Sequence, residues 1–220
     1  LWMLDPRPSL PVIVRMVEKG FELSEASSTP VIVDLRIRAC HVQGEFAARE
    51  NRAAKLSARH RGAPAGFDYE RLSHPPATFR QEKHKVDVRL PAARRFIAEH
   101  KLNETFAGDL EGIGIIVQGG LYNNLQRALQ VLGLADSFGA SRVPILALNV
   151  VYPLVPEEIA GFCAGKRAVL VLEEGQPEFI EQEIATTLRR RDQAAEGPAT
   201  SSTKLHGKDL MALAGEYSAE

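Results

Sequence analysis

The sequence predicts an α/β protein: a three-layer, parallel-sheet domain in its C-terminal half, preceded by a partial α/β domain and a long connector. Three observations predict it. From residue 112, short β-branched runs alternate with amphipathic helical stretches, the pattern of parallel strands joined by crossover helices. Before residue 40, one helical stripe leads into one β-branched run. Between them, residues 41–108 carry polar, Pro- and Ala-rich sequence such as RGAPAGF and SHPPATF, longer than loops inside a compact domain usually are.

The first helix is expected to start at Ser9 or Leu10, with Pro11 in the first turn, where its missing N–H costs nothing. Ile13, Met16, Val17, Gly20, Phe21 and Ser24 recur every three or four residues, which predicts one buried stripe ending near Ser27-Ser28. Pro30-Val31-Ile32-Val33-Asp34-Leu35 then reads as a buried strand. One helix and one strand cannot cover a sheet on both faces, so most of that domain is expected to lie outside this chain, and Val31, Ile32 and Val33 are expected to need a partner. The connector offers short helical possibilities at 45–59 and 91–100.

In the C-terminal half, Ile113, Ile115, Ile116 and Val117 predict a strand, and Leu121, Leu125, Ala128, Leu129 and Leu132 a helix ending at Gly133. Val143 to Val150 predicts a second strand. Pro156-Glu157-Glu158-Ile159 opens a helix with acids in its first turn, where the helix dipole favours them. Ala168 to Leu172 predicts a third strand, and Glu178 to Arg190 a last helix with Phe179, Ile180, Ile184 and Leu188 on its buried side. Residues 193–220 read as a linker and the start of a further region, too short to fold alone.

The 220 residues, 45% hydrophobic, suffice for one globular domain or two small ones. No apolar run approaches the roughly 18 to 20 residues that span a bilayer, and the first residues lack the cationic start and long apolar stretch of a secretory signal. The expectation is a cytoplasmic protein that meets no membrane. Cys40 and Cys163 have no CxxC spacing and are expected as free buried thiols; His60, His74, His84, His100 and His206 match no metal spacing. Charge divides unevenly: residues 36–95 hold 14 Lys and Arg against 6 Asp and Glu, whereas residues 96–220 hold 10 against 17. Phe46, Phe67, Tyr69 and Phe79 near the basic stretch form no nucleic-acid module, so that stretch is expected to be solvated or subunit-facing.

GIGIIVQGGLYNNLQRAL, opening at residue 112, suggests a phosphate cradle but fails as one. Its glycines are not spaced as GxGxxG, two precede the strand, and no Lys-Ser/Thr follows. Gly119-Gly120 is expected instead to let the turn pass close to a neighbouring backbone. Arg36, Arg38 and His41 follow the 31–35 strand, at the strand ends where open parallel sheets bind ligands. An arginine there offers a fork to a carboxylate or phosphate, a histidine a proton shuttle, and a solvated or interfacial charge cluster is the plainer alternative. Tyr122, Tyr152, Glu173 and Glu174 also fall in loops after strands; adjacent glutamates on extended backbone point opposite ways, against coupled acid–base work.

Three stretches together resemble the catalytic (alpha) subunit of 2-oxoacid:ferredoxin oxidoreductases, most closely the indolepyruvate type. MLDPRPS, a helix carrying FELSE, and TPVIVDLRIRACHVQG resemble the end of that family's pyrimidine-binding domain; GIGIIVQGGLYNNLQRAL resembles the opening of its transketolase C-terminal-like domain, and LNVVYPLVPEEIAGFCAGKRAVLVLEEGQPEFIEQEI the remainder. The resemblance implies residues 1–44 as the end of the first domain, 45–108 as connector, 109–192 as the second domain and 193–220 as linker. It implies an enzyme that uses thiamine diphosphate, magnesium and iron-sulfur clusters to decarboxylate an aryl 2-oxoacid, reduce ferredoxin and yield an acyl-coenzyme A. The chain has no GDG followed by Asn and no cysteine-rich segment, so it is expected to be an internal piece, to bind none of these groups alone, and to be inactive by itself. Arg36, Arg38 and His41 are the catalytic candidates that the resemblance brings near the cofactor cleft; Tyr122, Tyr152, Glu173 and Glu174 are interface candidates. The expected partners are the remaining domains, a partner subunit, a second copy and ferredoxin. The alternatives are a noncatalytic α/β interaction module and a related pyruvate- or 2-oxoglutarate-type oxidoreductase.

Overall fold

The computed structural model describes residues 1–50, 68, 72, 74–194 and 203–219. Two sheets organise these residues. The larger one has five strands: β3 (Glu104–Phe106), β4 (Ile113–Gln118), β5 (Ile145–Leu148), β7 (Ala168–Leu172) and β8 (Lys204–His206), in the spatial order β3-β5-β4-β7-β8. All neighbours run parallel except β3, which pairs antiparallel with β5 at the edge. Helix α5 (Tyr122–Val131) covers one face, and α6 (Pro156–Cys163) with α7 (Phe179–Ala194) the other. The alternation of a strand decides which residue goes where: Ile115 and Val117 pack beneath α5, while Ile116 between them packs under α6 and α7. The expected three-layer parallel unit is present.

The smaller sheet has the order β2-β1-β6, from β1 (Trp2–Leu4), β2 (Val31–Val33) and β6 (Val150–Tyr152). Strand β1 is parallel to β2 and antiparallel to β6. The N-terminal region is therefore more than the single helix and strand expected. A β1-α1-β2 unit, with α1 at Leu10–Ser27, borrows a third strand from the other half of the chain. Trp2, Leu4 and Val150 form a core with Met16 and Leu23 of α1 and with Ala93 and Ile97 of α4 (Leu90–Glu99). A short helix, α2 (Ile37–Cys40), follows β2.

The predicted strand 143–150 is two strands in different sheets, divided at Asn149. The expected stripe of α1 is shifted. Met16, Gly20, Leu23 and Ser27 are buried, whereas Phe21 is 75% exposed, because Gly20 faces β2 and a Cβ there would meet Val31 and Val33 at 3.6 Å. Phe179, assigned to the buried side of the last helix, is exposed as well. Residues 204–206, read as part of a linker, form the fifth strand beside β7. The helix expected at 91–100 is α4, which continues from α3 (Ala77–His84) through a π-helical turn at Lys85–Arg89. The helix expected at 45–59 lies outside the described residues from 51 onward, and 45–50 are irregular. No helix among the described residues is long and apolar enough to cross a membrane.

The two thiols differ, contrary to the expectation that both are buried. Cys163 lies in the core under α7, and burial pushes its thiol up to about 11, while Cys40 is exposed. Reactivity follows the thiolate and access to it. Ellman's reagent is accordingly expected to titrate one thiol per native chain, lost in Cys40→Ser, and two in denaturant.

Candidate functional site

The two sheets meet where the segment Asp5-Pro6-Arg7-Pro8 leaves β1 and crosses the Gly119-Gly120 turn after β4. The turn passes so close that a Cβ on Gly119 would overlap the Asp5 carbonyl oxygen, and one on Gly120 the Asp5 carboxylate and the Arg36 side chain. Only glycines permit that approach, as the sequence led us to expect. Asp5 is 1% exposed, and its Oδ1 accepts the Gly120 N–H at 3.1 Å.

Arg36 reaches this turn from the end of β2. Its guanidinium donates to Asp5 Oδ2 from Nε at 3.2 Å, to Gln118 Oε1 from Nη2 at 3.0 Å, and to Glu174 Oε2 from Nη1. Glu174 Oε1 accepts the backbone N–H of Tyr217, and the Glu174 N–H donates to Gln118 Oε1. One arginine thus ties together loops from four places in the sequence. Burial pushes the Asp5 carboxyl up to about 6 despite the Arg36 charge and hydrogen bond beside it. Because this value lies above that of an unfolded aspartate, the stabilisation from protonated Asp5 is full below about pH 4 and is lost as pH rises through about 6. Denaturation of wild type and Asp5→Asn from pH 4 to 6 should show wild-type stability falling, relative to the variant, by on the order of 2 kcal/mol.

A second cluster lies on the other side of the same crossing. Arg7 grips Glu104 with two parallel bonds of 3.0 Å, and its guanidinium sits 5.0 Å from the ring centre of Tyr122 and 5.6 Å from that of Phe106. Burial works to raise the Glu104 carboxyl, but the Arg7 and Asn149 hydrogen bonds and the Arg7 charge hold it below its ordinary value. Asn149, fully buried, accepts the Arg7 backbone N–H at 2.8 Å and donates to Leu102 O and Glu104 Oε2. Its side chain supplies the bonds that the ladder lacks where the chain leaves β5 for β6.

A cleft of about 680 Å³ opens beside the first cluster, lined by Met3, Asp5, Asp34, Arg36, Tyr152 and Glu174 among others. Of the residues singled out from sequence, Arg36, Tyr152, Glu173 and Glu174 come together here. Glu173 and Glu174 diverge as expected of adjacent residues: Glu173 accepts the N–H groups of Ile180 and Glu181 at 3.0 Å, closing the start of α7, while Glu174 holds Arg36. Burial raises the Glu173 carboxyl. Tyr122 is apart, buried beneath Arg7, with its hydroxyl accepting from Gln126 at 2.9 Å. Arg38 lies on α2; His41 follows that helix, exposed and outside the cleft lining. Arg36 does not present an open fork, since all three of its nitrogens donate within the protein. Asp5, Arg7, Glu104, Gln118 and Asn149 were not singled out from sequence. The signals were present in the two prolines that fix the DPRP backbone and in an asparagine amid the apolar run PILALNVVYP.

Among the described residues, no group of three or more His, Cys, Asp or Glu side chains is placed to hold a metal ion. The paired acids are engaged elsewhere. Glu158 accepts from Asn103 Nδ2 at 2.7 Å, Glu173 caps α7 and Glu174 binds Arg36, so these residues do not fit a magnesium-diphosphate site.

A family model described as the indolepyruvate ferredoxin oxidoreductase middle domain matches residues 103–219. An indolepyruvate oxidoreductase subunit IorA from Methanothermobacter marburgensis is 33% identical over 79% of this chain and 26% of its own length; that from Methanothermobacter thermautotrophicus is 29% identical over 89% of this chain and 28% of its own. The chain therefore spans about a quarter of the curated relatives it matches. A solved 2-oxoglutarate:ferredoxin oxidoreductase from Magnetococcus marinus, described with 2-oxoglutarate, coenzyme A and succinyl-CoA bound, superposes over 99% of this chain and 40% of its own with a TM-score of 0.54; at 15% identity it attests the fold. With a family match across the whole larger sheet and a relative one third identical over most of the chain, this protein belongs to the indolepyruvate ferredoxin oxidoreductase family.

Proposed function

We propose that this chain is the scaffold and interdomain portion of a thiamine-diphosphate-dependent, ferredoxin-linked oxidoreductase that acts on an aryl 2-oxoacid such as indolepyruvate, in the cytoplasm. In that reaction the acid loses carbon dioxide, its acyl carbon is oxidised by two electrons that reduce ferredoxin, and the acyl group joins the sulfur of coenzyme A as the thiol proton is released. Residues 1–44 are the end of the pyrimidine-binding domain, 45–108 the connector and 109–192 the transketolase C-terminal-like domain, with residues 193–220 leading onward. Thiamine diphosphate, magnesium and the iron-sulfur clusters would be held by other parts of the enzyme.

The observation that carries the scaffold reading is the engagement of Arg36. The arginine placed where a ligand carboxylate would be held instead donates to Asp5, Gln118 and Glu174 and fastens one sheet to the other. This supports a positioning role for Arg36, with Arg38 and His41 beside it on and after α2. The test has two parts. Calorimetry of the 220-residue chain with magnesium and thiamine diphosphate is expected to show no saturable binding; one-to-one micromolar binding overturns the scaffold reading. A polypeptide of the relatives' length, assembled with its partner subunit, is expected to reduce ferredoxin with indolepyruvate and coenzyme A. Turnover with pyruvate or 2-oxoglutarate in its place rejects the aryl substrate.

A further inference from the structure

The larger sheet is covered unevenly. Among the described residues, α5 is the one helix packed in the core on its face, where Leu125 and Leu129 meet Ile115 and Ile145. A helix about 10 Å across cannot cover five strands set about 4.8 Å apart. Beside it, residues 207–218 cross that face in bends and turns, and they lay Met211 and Tyr217 against the same core. Such a segment fills space less completely than a helix does. A cavity of about 500 Å³ remains between α5, the sheet and this strap. Ile113, Leu170 and His206 form its floor, Ala128 and Leu129 its wall, and Met211 its roof.

The strap is fastened near both ends. Lys208 Nζ donates to the Glu173 carbonyl at 2.6 Å and to the Tyr217 hydroxyl at 2.7 Å. The Tyr217 N–H donates to Glu174 Oε1, and its carbonyl accepts from Asn124 Nδ2 at 2.6 Å. This chain therefore roofs the cavity with its own residues. The lining is nearly all hydrocarbon, and two polar atoms are left on it. Leu205 packs against the core under α7, so strand alternation turns His206 to the cavity side. His206 Nδ1 lies 2.7 Å from Asp209 Oδ2, and that bond is the first cause holding the Asp209 carboxyl below its ordinary value. An ionised carboxylate only accepts, so Nδ1 carries the proton and Nε2 of the neutral ring is an acceptor. Asn124, with its Nδ2 given to Tyr217, keeps an Oδ1 that has no partner among the described residues.

We propose that this cavity binds an uncharged aromatic molecule carrying an N–H or O–H donor, the class of indoles and phenols, with the donor on His206 Nε2. Its volume falls in the range of about 300 to 1,000 Å³ usual for small-molecule sites. A charged group would lose its water against a hydrocarbon lining that returns nothing for it. Two acceptors select a ligand that donates, and the Met211 sulfur and the Tyr217 ring suit an aromatic face. The site lies on the α5 face, whereas the cleft beside Arg36 borders α7. It rests on no part of the catalytic reading, and its failure leaves that reading and the family assignment untouched.

Equilibrium dialysis of the 220-residue chain against indole and against 1-methylindole, which lacks the N–H, is the test, with circular dichroism to confirm that each variant is folded. Indole is expected to bind one-to-one with a dissociation constant of about 1 mM or tighter. 1-Methylindole is expected to bind about fivefold more weakly, the worth of one hydrogen bond. His206→Phe keeps a ring in place but removes the acceptor, and it is expected to abolish the preference between the probes, which a packing role would not do. Ala128→Phe, filling the cavity from α5, is expected to abolish binding of both. Ala168→Leu fills it from β7 and serves if α5 does not accept the larger side chain. Thr186→Phe, in the cleft beside Arg36, leaves both affinities unchanged. A polypeptide of the relatives' length is expected to retain indole binding. No saturable binding, equal affinity for the two probes, a preference that survives His206→Phe, or binding that survives the filling variants overturns the proposal. Loss of binding in the longer polypeptide overturns it too, by showing a further segment seated in the cavity.

Discussion

Arg36→Met is expected to destabilise the protein by about 3 to 5 kcal/mol at neutral pH, the range for removing one partner of a buried ion pair. The guanidinium is the shared donor of Asp5 and Glu174, and Asp5 is 1% exposed. Without it, Asp5 must either stay charged in the interior or take up a proton, and each course costs folding free energy. The loss is therefore expected to shrink toward pH 4, where Asp5 is already protonated in the wild-type fold. At a chain length near 200 residues the neutral-pH deficit corresponds to a fall in Tm of about 10 °C. Denaturation at pH 7.5 and pH 4.5 reads both effects. Asp5→Asn combined with Arg36→Met should lose clearly less than the sum of the single variants, since the two residues act on one interaction. A strictly additive double variant would show that the Asp5–Arg36 pair does not hold the crossing.

Gly119→Ala is expected to be comparably damaging for a steric reason. The added methyl would overlap the Asp5 carbonyl oxygen and stand 3.0 Å from the Arg7 nitrogen, so backbone must yield to backbone, and no flexible side-chain end is available to move aside. Overpacking typically costs about 1 to 3 kcal/mol, more where the obstacle cannot relax, and about 3 kcal/mol or above is expected here. Gly133 is a control of different kind: a Cβ there meets nothing within 4 Å, but the residue has φ 68° at the end of α5, so Gly133→Ala should cost about 1 kcal/mol through backbone strain alone. Urea denaturation of the two variants side by side separates them; equal losses would refute the close approach.

Much of the larger sheet was legible because its elements are long enough to repeat. Strands β4 and β7 show their β-branched runs, α5 shows its stripe, and Pro156 with two following glutamates announces α6. The elements that escaped are three-residue strands: β1, β3, β6 and β8. Three residues cannot display a period, and what makes them strands is the neighbour they pair with, which local sequence does not name. Helix α3 escaped for another reason: apart from Ala77 it is mostly exposed, so it lacks the apolar stripe that periodicity detects.

The candidate site divides the same way. Arg36, Tyr152, Glu173 and Glu174 could be picked out singly, as polar or aromatic residues following apolar runs. That Arg36 would meet Glu174, 138 residues away, and Asp5, 31 residues back, depends on how the two sheets are set against each other. Tyr122 drew attention for the same loop position, but the Arg7–Glu104 pair above it is a tertiary contact, and it makes Tyr122 a buried residue instead of a surface one.

The division of one predicted strand at Asn149 has a consequence for how this polypeptide can be inherited. Strand β6 completes the first sheet, yet along the gene it lies between β5 and β7, both of which belong to the second. No single cut in the coding sequence therefore separates two self-sufficient modules. A recombination event that swapped the second unit for a foreign one would carry away the third strand of the first. Its survivors would be those in which the donor brought an equivalent strand and an equivalent buried asparagine, so the two halves are constrained to be exchanged together or not at all.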